Sequence, residues 1–216
     1  MFAPIRWDHV RPVVVRLMAQ QWVDAFFATG ELRLSTYKSL RALPDERFGD
    51  MDEGNFMVEL QGQTLSGAVI GSVADSAYVL CGCSRQPSPE QLAKFGEVGI
   101  QIFHPEYFAK EVARCIPGFL QGYDGGCYYS TGGIPVQVSD QELQEVAARA
   151  KSGVAAGMPS MMKLTGPVPA KFFLKRQRFA DEAEYRLVWL VHDEAIEPRS
   201  FYAPGARQYC RPWRKR

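Results

Sequence analysis

Histidine is scarce in this chain: His9, His104 and His192 are the only three among 216 residues. No HExxH pair occurs, and His104 stands before a proline, which suits the start of a helix better than a reaction. His192, in the segment VHDE at the expected end of a strand, reads as a surface residue. Histidine-based metal or triad chemistry is therefore not expected. Also missing are a GxGxxG following a strand, a GxxxxGK[ST] phosphate loop and a GxSxG nucleophile elbow. Their absence removes the common dinucleotide, P-loop and α/β-hydrolase designs.

Long hydrophobic runs are lacking too. The longest apolar stretches fall far short of the roughly 20 residues that cross a bilayer. The N-terminal MFAPIRWDHVRPVVVRLM carries charges throughout and has no apolar stretch of signal-peptide length, so no membrane role and a cytoplasmic location are expected. The five cysteines, Cys81, Cys83, Cys115, Cys127 and Cys210, are odd in number and irregular in spacing. With no CxxC pair and no histidine at zinc spacing, they read as reduced structural thiols. Net charge is nearly nil, 25 Lys+Arg against 24 Asp+Glu, which speaks against non-specific coating of nucleic acid.

What remains is an ordinary globular composition. Apolar residues make up 46% of the chain and charged ones 23%, which excludes a disordered, collagen-like or coiled-coil protein. The length supports a core without metal or disulfide staples. Val13 to Leu17 is β-branched and predicts a strand. Gln20 to Thr29 places Trp22, Val23, Phe26 and Phe27 at helical spacing, with Gly30 as the stop. Glu31 to Thr36 alternates as a strand does, and NFMVEL, TLSGAVIGSV and SAYVLCGCS continue in strand-like fashion. Ser88-Pro89-Glu90-Gln91 and Ser139-Asp140-Gln141-Glu142 mark two helix starts. EVGIQIF predicts a strand and Pro105 to Cys115 a helix. The Gly-rich segment 122–138 predicts a hairpin with a mobile tip, and EYRLVWLV is the strongest strand signal. No steady βαβ rhythm appears, so the expected fold is α+β: one domain over residues 1–204 with a largely antiparallel mixed sheet and flanking helices, then a basic aromatic tail over 205–216.

Polar residues gather in three places. Arg16 on one strand and Arg33, Ser35 and Thr36 on another flank the first helix, and consecutive elements usually lie adjacent; solvent-facing strand positions are the plainer alternative. The loop PDERFGDMDEG concentrates Asp45, Glu46, Asp50, Asp52 and Glu53, either as cation ligands or as a solvated loop. Glu182 and Glu184 share one face of an extended chain with Arg186, either as a charge-coupled set or as an exposed strand edge.

The combination of FFATGELRLST, the DERFGDMDEG loop, the CGCS strand end, FGEVGIQIFHPEYF and FADEAEYRLVW resembles a bacterial family associated with abortive-infection phage resistance. More distantly, the order of parts is similar to that of ADP-ribosyltransferases: a strand with Arg16, a helix ending at Gly30, a strand with Ser35-Thr36, and a late Glu182-x-Glu184 before a strand. That resemblance implies NAD as substrate. Arg16, or Arg33 in its place, would hold the NAD phosphates or nicotinamide ribose, and Ser35 would brace the pocket. Glu184 would hydrogen-bond the ribose and stabilise its cationic centre, while Glu182 would position an acceptor, protein or nucleic acid. Tyr129, within Tyr128-Tyr129-Ser130-Thr131, would supply the stacking ring.

Two other readings stand beside this one. In a metal-dependent nuclease, the acidic loop with Glu182 and Glu184 would bind Mg²⁺, Lys175 would neutralise phosphate, and the tail RQYCRPWRKR would grip the backbone. In a non-catalytic defence or antitoxin module, the loop and the tail would be recognition surfaces.

Overall fold

A computed structural model describes residues 11–42, 54–72, 76–151, 171–193 and 196–215. The acidic loop from Asp45 to Glu53 and residue His9 lie outside the described residues.

The chain opens with β1 (Val14–Leu17), helix α1 (Gln20–Thr29), β2 (Glu31–Thr36) and the short α2 (Tyr37–Arg41). Helix α1 buries Val23 and Phe26 and stops at Gly30, which has φ 84° and donates its N–H to Phe26. A Cβ at Gly30 would sit 2.5 Å from the backbone nitrogen of Pro204, so both the left-handed turn and the close approach require glycine. Then come β3 (Asn55–Gln61), β4 (Ser66–Ser72) and β5 (Ala77–Cys83), followed by α3 (Pro89–Phe95), β6 (Val98–Ile102) and α4 (Pro105–Ala113). Ser88 and Gln91 close a reciprocal capping box on α3, as the sequence predicts. The remaining elements are β7 (Phe119–Gly126), β8 (Tyr128–Ser130), β9 (Ile134–Gln137), α5 (Asp140–Lys151), β10 (Leu174–Arg176), β11 (Glu184–Val191), β12 (Arg199–Tyr202) and β13 (Cys210–Arg214). A 3-10 turn over Gln177–Glu182 leads into β11.

Strand β5 is the hub of an eight-stranded sheet in which every ladder is antiparallel. One edge of β5 pairs with β11 over its whole length, from Glu184 opposite Cys83 to Leu190 opposite Ala77, and β7 lies beyond β11. The other edge is shared: β2 takes Tyr78 and Val79, whereas β1 takes Cys83. The sheet therefore forks, with β12 extending the β2 arm and β6 then β13 extending the β1 arm.

Pleating sends alternate side chains to opposite faces. On one face Leu34, Ile100, Leu187 and Trp189 pack with Phe26 of α1 and Phe108 of α4 in the larger core. On the other, Val79 and Val188 meet Tyr37, Phe172 and Phe173. Each such fully buried side chain contributes about 1.5–3 kcal/mol of transfer free energy. A smaller sheet, β4-β3-β9, packs Val58 and Leu60 against Leu143 of α5. This is the single-domain α+β fold expected, with the parallel pairs confined to β3–β9 and β8–β10.

Two expectations need revising. Residues 122–138 are not a hairpin, because β7, β8 and β9 pair with three different strands: β11, β10 and β3. The glycines serve close crossing instead; a Cβ at Gly133 would lie 2.8 Å from the carbonyl oxygen of Met57. Nor do the described residues of the 205–216 segment form a separate tail. They form a 3-10 turn (Pro204–Tyr209) and the edge strand β13, paired with β6 from Cys210 to Arg214, with Trp213 buried. Among the described residues no helix is long and apolar enough to cross a membrane, and all five cysteines are free.

Candidate functional site

Four chain segments converge at the N-terminal end of β11. Ala183 takes a left-handed conformation (φ 44°) and so turns the chain sharply from the 3-10 turn into the strand. Glu182, the last residue of that turn, and Glu184, the first of β11, are thereby brought around a common point rather than along an extended chain. Parallel pairing of β10 with β8 sets Lys175 beside Tyr129. Helix α3 supplies Lys94 and Gln91.

Lys175 is the centre of the cluster. Its ammonium donates to Glu182 Oε2 at 2.6 Å and also to Glu184 Oε2, and its side chain is only 8% exposed. Lys94 reaches the other oxygen of Glu182 at 3.1 Å. Arg186, two residues along β11 and fully buried, donates from Nε to Glu184 Oε1 at 2.5 Å and from Nη1 to the Phe172 carbonyl at 2.8 Å. The Tyr129 hydroxyl accepts the backbone N–H of Glu184 at 2.7 Å. Gln91 donates to the Glu182 carbonyl at 3.0 Å.

Burial alone would raise the Glu184 carboxyl, but Arg186 and Lys175 outweigh it and hold the group below the ordinary carboxylate range. The Tyr129 hydroxyl is pushed up by burial, with the nearby Cys127 and Glu184 adding to the effect. Burial also pushes the Cys83 thiol up to about 11. Glu184 is thus a permanent anion and Tyr129 a permanent neutral group near neutral pH.

The other residues singled out from the sequence do not join it. Val15, Cys83 and Glu184 lie in one cross-strand row and share a face, so Arg16 starts from the opposite face. Its guanidinium donates to the Cys81 carbonyl at 2.9 Å. Ser35 shares the face of Glu184 but pairs with Val79, four residues from Cys83, or about 13 Å along the strand at ~3.3 Å per residue. Thr36 caps α2, accepting the Ser39 N–H at 3.1 Å. Arg33 is solvent-exposed opposite Ser200. Arg16, Arg33, Ser35, Thr36 and Glu184 therefore do not line one pocket.

Lys94 and Gln91 are not singled out by the sequence as site residues, whereas Arg186 is, as one member of a charge-coupled set with Glu182 and Glu184. Arg186 had a signal in its period-2 spacing from Glu184; Lys94 and Gln91, some 90 residues upstream, had none. A cleft of about 420 Å³ opens beside the cluster, with Lys175 in its wall. Arg176, Arg178, Ser130 and Thr131 line it too, together with the apolar Phe56 and Ile70. Among the described residues no group of three His, Cys, Asp or Glu side chains is placed to hold a metal ion. No protein-family model, curated protein or solved structure matches the chain.

Proposed function

We propose that the chain is an ADP-ribosyltransferase-like enzyme that consumes NAD, with the Glu182–Glu184 pair at its reaction centre. The observation that carries this reading is the state of Glu184: a buried carboxylate, kept ionised and oriented by Arg186 and Lys175 on a rigid central strand. Breaking the bond between nicotinamide and ribose releases neutral nicotinamide and leaves positive charge on the ribose. A preorganised anion beside that carbon lowers the barrier without having to reorganise. The acceptor's nucleophile then bonds to the ribose and its proton leaves to solvent. Glu182 is less enclosed and is better placed to meet the acceptor. Lys175 holds one oxygen of each carboxylate and so fixes the two relative to each other.

The reading is tested by incubating the protein with labelled NAD, with and without a lysate as a source of acceptors, and following both free nicotinamide and label on macromolecules. Turnover is expected in the wild type and a loss of at least about 100-fold in Glu184→Gln, the scale of removing one preorganised electrostatic partner. Glu182→Gln, at a less buried position, is expected to reduce transfer to acceptor more than nicotinamide release. Wild-type protein no more active than a heat-denatured sample would end the proposal, as would full activity in a folded Glu184→Gln protein.

A further inference from the structure

Among the described residues, three strands of the main sheet pair on one side only, and these edges are not alike. Strand β12 is four residues long and carries Arg199; β13 carries Arg211 and Arg214, with Pro212 in its middle. Short length, cations and proline are the usual guards of a sheet edge. Strand β7 has none of them: its eight residues, FLQGYDGG, include no lysine, arginine or proline. Its one carboxylate, Asp124, is held by Arg11 at 2.6 Å and by the Tyr185 hydroxyl at 2.5 Å. The ladder to β11 is regular from Gln121 to Gly126 and shifts by one residue before Phe119. Leu120, at that shift, is half exposed, and Phe119 beside it is exposed too. Three glycines, Gly122, Gly125 and Gly126, complete the strand. None takes the left-handed φ that favours glycine. A Cβ on any of them would lie 3.5 Å or more from its nearest neighbour, an ordinary contact. The chain's own packing therefore has no need of glycine there, although each one weakens a strand.

We infer that β7 is a docking edge for a second copy of this chain, whose own β7 pairs with it antiparallel about a two-fold axis. An edge strand leaves alternate N–H and C=O groups unpaired along its length, and a neighbouring backbone satisfies them. Bare glycines let that backbone approach closely. A strand and its two-fold copy are complementary by construction, since each presents to the other what it receives. Antiparallel pairing also continues the pattern of every ladder in the sheet. Charge selects this edge over the other two. Copies meeting at β12 or β13 would set arginines against arginines, whereas at β7 each Asp124 already has its cation. Because the pairing uses the β7 edge of both copies, association stops at the dimer. The inference goes beyond the reaction proposed above and stands on this edge alone.

Analytical ultracentrifugation of the full chain, from micromolar to near-millimolar concentration, tests it. A monomer–dimer equilibrium is expected, with no larger species. Hydrogen exchange at two protein concentrations then locates the interface: amides within residues 121–126 should exchange more slowly in the dimer than in dilute protein. Leu120→Lys places a cation on the edge and is expected to weaken dimerisation by at least about tenfold. Tyr202→Lys, at an equally open position on β12, should leave it unchanged. The exchange measurement uses the unaltered chain, so it decides the matter even where Leu120→Lys fails to fold. A monomer at every concentration overturns the inference and leaves the edge to an extended segment of a different protein. A dimer without slowed exchange in residues 121–126 overturns it as well. So do oligomers that keep growing with concentration, and a dimer that a folded Leu120→Lys chain forms as tightly as wild type.

Discussion

Replacing Glu184 by glutamine should cost much of the protein's stability. The carboxylate serves two cations that water barely reaches: the side chain of Arg186 is 0% exposed and that of Lys175 8%. Removing one member of a buried ion-paired set leaves an uncompensated charge and costs about 3–5 kcal/mol, out of a total that is typically about 5–15 kcal/mol. With a urea dependence of roughly 2–3 kcal/mol/M, the unfolding midpoint should fall by about 1–2 M. Fluorescence of Trp189, buried on the same strand, reports the transition. Lys94→Met provides the contrast. Its pair with Glu182 leaves both side chains 18% exposed, and the loss should be about 1 kcal/mol or less.

Acidification gives an independent check on Glu184. Burial works against its charged form, but Arg186 and Lys175 prevail and hold the carboxyl below its ordinary 4.5. The unfolded chain therefore binds this proton first. The stabilisation is complete above about pH 4.5 and drains away as pH falls toward the lowered native value. The wild-type and Glu184→Gln midpoints should thus converge as the solution is acidified below about 4.5. A midpoint shift under about 0.3 M at pH 7, or a gap that stays constant on acidification, would refute the electrostatic account of the cluster.

Two further outcomes are expected. Burial raises the thiols of Cys83, Cys127 and Cys210, so at pH 8 a disulfide reagent should label no more than two of the five cysteines quickly in the folded protein and all five in urea; rapid labelling of four would contradict the packing. Gly30→Ala combines the left-handed cost of about 1–2 kcal/mol with a Cβ 2.5 Å from Pro204. Calorimetric Tm should drop by roughly 5 °C or more at ~2–4 °C per kcal/mol for a chain of this size, and a drop under about 2 °C would argue against the close approach.

Local signals carried most of the elements into view. The hydrophobic spacing of α1, the glycine after it, the serine boxes before α3 and α5, and the β-branched run of β11 all act within a few residues, which is the range over which sequence pattern speaks. Partner choice was hidden. Three short strands between Phe119 and Gln137 looked like one hairpin because turn residues separate them, yet their partners come from distant β3, β10 and β11. The pair Glu182 and Glu184 was legible as a coupled set, though its geometry comes from a sharp turn at Ala183 rather than from an extended face. Lys175 gains its role only through pairing with Tyr129, a register no local pattern encodes. Arg16 was legible as a charged residue on a strand, but not the contact it makes: its guanidinium serves a backbone carbonyl.

That contact belongs to the fork in the sheet. Between Val79, paired to β2, and Cys83, paired to β1, strand β5 has a short stretch with no strand on that edge, and the Arg16 guanidinium fills the gap at Cys81. Most strands in a sheet can absorb an inserted or deleted residue by bulging against one neighbour. Here a change of one residue between Tyr78 and Cys83 would slip both arms against each other, invert the faces shown to β11 and move the carbonyl away from its guanidinium. Length variation in homologues of this fold should therefore collect in the connections between strands and avoid the interior of β5.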